Sequence, residues 1–130
     1  MIMDKKIILT ALVFGFVSIV LGAFGAHALK KVLTAEQLSS FEVGVRYVMY
    51  HGLFLLFIGT TQMLLPKQKN RIFYLTLSGT ILFSGSIFLL ASVGEMGLNF
   101  KFLGPITPIG GLLLITSWVA TFYYISIKKA

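Results

Sequence analysis

The chain has 130 residues, 57% of them hydrophobic and only 12% charged, with a formal net charge of +7, a mean hydropathy of +0.93 and no cysteine. A soluble domain is nearer half apolar and a quarter charged. So little polar surface cannot cover a water-soluble globule, which excludes a nucleic-acid-binding domain despite the positive charge, and the lack of cysteine removes disulfides, thiol catalysis and Cys-ligated metal clusters.

Four apolar runs predict an all-α fold: a polytopic membrane protein built as a single domain, with four transmembrane helices at about 7–29, 47–65, 72–93 and 108–127. Each run is about 20 residues, enough at 1.5 Å per residue to cross roughly 30 Å of hydrocarbon. Backbone groups in lipid must be satisfied internally, so runs without barrel-like alternation read as helices. The first run follows Lys5 and Lys6 and ends at Ala26-His27-Ala28, imitating a signal peptide. It is longer than the roughly 7–15 residues of the apolar region in such peptides and is expected to be retained. Its Ala11, Gly15, Ser18, Gly22 and Gly25 fall in one stripe, which predicts a close helix contact.

Past the first run, Thr34 with Gln37 and Ser39 with Glu42 both fit a capping box. A helix from Thr34 to Leu65 would be about 45 Å long, more than the hydrocarbon core accepts. A short interfacial helix in the first loop is therefore expected, then a bend near Gly44. Glu42 and Arg46 stand one turn apart and can pair. On the second span Gly44, Tyr47, His51, Leu55 and Gln62 share one face; Glu42, Arg46 and Tyr50 share the opposite one. The third run carries a second small stripe, Ser78, Gly85 and Ser92, with Gly79 and Ser86 beside it. Before the fourth run, the segment from Gly104 to Gly111 has no Lys-Ser/Thr sequel, so it reads as a rigid turn rather than a phosphate loop. Thr107 is predicted as N-cap there and Pro108 as the first helical residue. Tyr123 and Tyr124 suit an aromatic belt.

Lys5, Lys6, Lys67, Lys69, Arg71, Lys128 and Lys129 fall on one side of the membrane, whereas Lys30, Lys31, Arg46 and Lys101 fall on the other with Glu36, Glu42 and Glu95. This bias predicts both termini cytoplasmic. The cationic side suits membrane lipids with anionic headgroups, at about 1 kcal/mol per basic residue near the surface.

The candidate polar cluster is His27, Tyr47, His51, Glu42 and Arg46, with Tyr50, Gln62 and Glu95 as further polar residues. The spans place His27 and His51 together near the outer interface. Two imidazoles with a carboxylate could hold a divalent metal, two histidines could ligate haem iron, and one could relay protons. No His-Glu-x-x-His motif is present, and the two histidine faces diverge, so no metal and no cofactor is expected. The histidines are read as holding the first loop against the bundle. A Ser-His-Asp set and paired midplane carboxylates are also missing, which argues against an enzyme. The expected function is a non-enzymatic structural, interaction or lipid-binding role, as a homo-oligomer or beside a larger membrane partner. The alternative is an oligomeric transporter or channel for a small solute or ion, using His27 and His51.

Gly22-Ala23-Phe24-Gly25-Ala26-His27, Tyr47 with His51, Leu82-Phe83-Ser84-Gly85-Ser86, Thr107-Pro108-Ile109-Gly110-Gly111 and Trp118 occur in that order. In this pattern the chain resembles a bacterial domain-of-unknown-function family of small four-helix membrane proteins related to eukaryotic transmembrane protein 256. The resemblance spans essentially the whole sequence apart from the first loop, Lys30 to Ser40. It implies a multi-pass bacterial plasma-membrane protein and assigns no catalytic residue. It marks His27, Tyr47, His51, Thr107, Pro108 and Trp118 as family-like positions, with Gly22, Gly25, Gly85, Gly110 and Gly111 in its packing motifs.

Overall fold

Helices carry the whole architecture, as they must where no water can satisfy the backbone. The computed structural model describes residues 2–93 and 103–129, and among these there is no strand. Helix α1 (Ile2–Val20) continues through a π-helical turn (Leu21–Gly25) into α2 (Ala26–Leu29). Then come α3 (Ala35–Thr60), α4 (Pro66–Val93) and α5 (Ile106–Ser126). Among the described residues four segments are long and apolar enough to cross a membrane: Asp4–Leu29, Ala35–Thr60, Pro66–Ala91 and Ile106–Ser126. Glu95 and Lys101 lie outside the described residues.

The separate interfacial helix expected in the first loop is absent, and the chain does not break near Gly44. One helix runs from Ala35 to Thr60. It is nucleated by the predicted capping box at Thr34, whose Oγ1 accepts from the Gln37 amide at 3.1 Å while Gln37 Oε1 accepts from the Thr34 amide at 2.9 Å. Both ends of this helix are compatible with a membrane span. The helix stops at Thr60 rather than Leu65, and its polar first turns, with Glu36, Glu42 and Arg46, need not enter the hydrocarbon. Gly44 is a packing site, not a hinge: a Cβ there would lie 2.6 Å from Phe88 Cε1 of α4, and its carbonyl accepts from Ser84 Oγ at 2.8 Å.

Helix α5 also begins earlier than expected. Its N-cap is Pro105, so Thr107 and Pro108 both lie inside the first turn. Amides of the first turn have no partner within the helix, so Pro108 removes no hydrogen bond there. Thr107 pairs its hydroxyl with Ser86 of α4 instead of capping the helix.

The layout is a central pair flanked by two outriders. Helix α1 packs along α3, α3 on α4, and α5 along α4, while among the described residues no backbone contact joins α3 to α5. Only 17% and 22% of the apolar windows of the first and last spans are buried, against 44% and 39% for the central two. The predicted stripe on the first span does face α3: Ala11 and Ser18 are buried, and a Cβ on Gly52 would come within 3.1 Å of the Ala11 carbonyl. The stripe predicted on α4 is displaced by one position. Ser78 is exposed and Gly85 has open space around it, whereas the neighbouring Gly79 and Ser86 are buried against α5. The side chain of Ser92 lies outside the described residues. Packing at such close backbone contacts holds membrane helices together, since lipid is as apolar as their side chains.

Basic residues tie the ends of the helices together on the side that carries both termini. Lys69 of α4 is 6% exposed and its Nζ donates to Asp4 Oδ1 of α1 at 2.9 Å. Lys6 Nζ donates to the Tyr74 hydroxyl at 2.7 Å and lies over the Tyr74 ring. Lys128 Nζ donates to the Gln62 carbonyl at 2.9 Å, joining the end of α5 to the α3–α4 turn.

Candidate functional site

Among the polar residues picked from the sequence, His51 has the most constrained environment. Its residue is 4% exposed on α3. The Trp118 indole Nε1–H can only donate, and it lies 3.0 Å from His51 Nε2. Nε2 must therefore accept, which places the imidazole proton on Nδ1, where it is donated to the Tyr47 carbonyl at 2.8 Å. Both ring nitrogens are satisfied, as burial in an apolar bundle demands. Rings reinforce the bond: Trp118 stacks on Phe54 with centroids 4.4 Å apart and meets the His51 ring edge-on at 6.1 Å. Since α3 and α5 share no backbone contact, these side chains form a latch between them.

The remaining members of the expected cluster scatter. His27 is exposed on α2, at the first-loop end of the molecule. His51 stands about 24 Å along α3 from its start and roughly 14 Å from its end, so it lies towards the terminal side of the membrane. The two histidines do not share a depth, because α3 starts twelve residues before the expected span at Tyr47. Glu42 and Arg46 do pair, at 3.7 Å, but on an exposed face where the pair contributes little. Tyr47 stays with His51, ring centroids 6.2 Å apart, and packs on Phe83 of α4 at 4.7 Å. Gln62 falls beyond the end of α3, so it cannot share the His51 face. Among the described residues no group of three or more His, Asp or Glu comes within reach of one metal ion.

Beside the latch, the gap between α3 and α5 forms a groove of about 880 Å³. Tyr47, Tyr50, Phe54 and Phe57 wall it on α3; Trp118 and Phe122 wall it on α5. Its volume falls within the roughly 300–1,000 Å³ of small-molecule sites, and its lining is mostly aromatic and aliphatic. His51 lies in its wall with both nitrogens engaged, and the groove contains no carboxylate. Chemically this suits the van der Waals capture of a hydrocarbon chain, not proton transfer. Sequence reading placed Trp118 among packing residues and missed its bond to His51. The available signal was a donor-only indole in one apolar run and a lone imidazole in another, each requiring a partner.

A second recess of about 300 Å³ lies where the α3–α4 turn meets the end of α5, lined by Gln62, Gln68, Tyr124, Lys128 and Lys129 among others.

Comparison with known proteins adds a family. Residues 21–111 match the family described as "Protein of unknown function (DUF423)". A UPF0382 membrane protein of Staphylococcus haemolyticus is 37% identical, covering 93% of this chain and 98% of its own length. A UPF0382 membrane protein of Haemophilus influenzae is 32% identical, over 93% of this chain and 94% of its own. The UPF0382 membrane protein YwdK of Bacillus subtilis is 34% identical, over 88% and 91%. No solved structure matches at a significant level.

Proposed function

This chain belongs to the DUF423 family of bacterial membrane proteins, and on that premise we propose that it is a non-enzymatic lipid-binding protein of the plasma membrane. It holds one hydrocarbon chain of a phospholipid in the groove between α3 and α5. The observation that carries this reading is the groove itself, an apolar slot between two helices that, among the described residues, share no backbone contact. A slot of that size open to a bilayer fills with lipid, and its aromatic walls give a chain more contact atoms than bulk lipid does. The placement of the histidines supports it over an oligomeric transporter or channel. His51 has both nitrogens committed, and His27 is exposed at the opposite end.

Photoactivatable phospholipid in membranes holding the protein tests this. Adducts are expected to concentrate on residues 47–57 and 118–126. Equal labelling of exposed α1 positions such as Leu12 and Phe16 would instead mean that lipid merely surrounds the protein.

The seven basic residues on the terminal side favour a cytoplasmic position for both termini. A single cysteine replacing Gln68 is expected to escape an impermeant thiol reagent in intact cells, while one replacing Ser39 reacts. The reverse pattern would invert the orientation.

A further inference from the structure

We infer that the recess below the groove is a headgroup site, selecting phospholipids with a net negative headgroup over zwitterionic ones. This deepens the lipid-binding reading and rests on it. The recess lies at the same end of α5 as the groove's last lining residues, although the two share none: Ile125 and Ser126 line the groove, Tyr124, Ile127, Lys128 and Lys129 the recess. A chain lying in the groove with its ester end towards Ser126 therefore has its headgroup at the end of α5 that carries the two lysines.

The charges at this end favour an anion. Lys128 donates to a neutral carbonyl, that of Gln62, which fixes the ammonium at the recess without neutralising it. The acidic residue described on this side, Asp4, is bound to Lys69 at 2.9 Å. Gln68 Oε1 accepts from the Leu65 amide at 2.9 Å, so its amide NH₂ remains to donate towards a ligand. The start of α4 adds the positive end of its dipole and the end of α5 the opposite sign, so the lysines set the balance. Phosphate oxygens between two ammonium groups and an amide donor make charge-assisted hydrogen bonds, and the low-dielectric apolar flank formed by Leu64, Leu65 and Ile127 strengthens them.

The test is native mass spectrometry of the full-length protein, released from detergent after incubation with equal amounts of phosphatidylglycerol and phosphatidylcholine bearing identical chains. The protein is expected to retain the anionic lipid by about tenfold over the zwitterionic one. In Lys128→Gln/Lys129→Gln the preference falls to near parity while total bound lipid persists. Lys129→Gln alone leaves the Lys128 tie intact and is expected to lose part of the preference, which separates recognition from misfolding. Lys67→Gln, on the same face but outside the recess, is expected to keep it. Equal retention of both lipids by the unaltered protein, or an equal loss in Lys67→Gln, would overturn the headgroup site and leave the groove standing. Displacement of the lipid by inorganic phosphate alone would overturn a lipid as its occupant. No retained lipid of either kind would overturn the groove reading as well.

Discussion

Gly110→Ala is expected to destabilise the protein by about 2 kcal/mol or more, whereas Gly111→Ala next to it stabilises by about 0.5 kcal/mol. The two differ only in what a methyl group meets. At Gly110 a Cβ would lie 2.8 Å from the Cα of Phe83 and 2.9 Å from the Gly79 carbonyl oxygen. Both are backbone atoms of α4, so relief requires α5 to move as a body. At Gly111 the nearest atom is Phe83 Cδ1 at 3.7 Å, an ordinary contact, and the helix gains alanine's smaller entropy loss. Unfolding in mixed detergent micelles, followed by Trp118 fluorescence, reads α5 directly. Equal effects of the two substitutions would mean that α5 does not cross α4 at Gly110.

His51→Ala is expected to cost about 2 kcal/mol, from a lost interhelical hydrogen bond and a cavity beside Phe54 and Trp118. Trp118→Phe keeps most of the stacking and removes the donor. In the double-mutant cycle the two positions are expected to couple by about 1 kcal/mol, within the range of bonds between membrane helices. Tyr47→Phe should fall within about 0.5 kcal/mol of the starting protein, since the latch uses the Tyr47 carbonyl and not its hydroxyl. Independent, additive losses at His51 and Trp118 would sink the latch.

Much of this architecture is legible in the residues. Apolar runs of membrane length give the four spans, and Ala11, Gly22 and Gly25 of the small stripe lie on the face that α3 meets, whereas a Cβ on Gly15 would meet nothing. The capping box at Thr34 gives the start of α3. Its unbroken course is not legible, because span length limits only the apolar turns, and the first turns with Glu36, Glu42 and Arg46 need not lie in hydrocarbon. The displaced stripe on α4 has a similar origin. Ser78 and Gly85 are as small as Gly79 and Ser86, and composition cannot say which small residues face a partner.

The candidate site was less legible. His51, Tyr47 and Trp118 all stood out, but their meeting depends on α3 and α5 flanking one side of α4. No periodicity within a single helix encodes which helices become neighbours. Pairing His27 with His51 failed because a boundary shift of three turns changes depth by roughly 18 Å. The buried role of Lys69 was hidden for another reason: a lysine at a membrane surface looks like an orientation signal whether or not it also finds a carboxylate.

The groove proposed to hold a lipid chain has the single tryptophan in its wall, which makes that residue the natural reporter on its occupancy. Trp118 lies in the groove wall and is half exposed. Its fluorescence can be followed in bilayers containing rising fractions of phospholipid brominated at mid-chain. If the groove is a site, quenching contains a component that saturates at low mole fraction. That component disappears when Leu53→Phe and Ser126→Phe fill the slot from its exposed rim. Quenching that simply tracks the mole fraction of brominated lipid, alike in both proteins, would mean that the groove is not a lipid site.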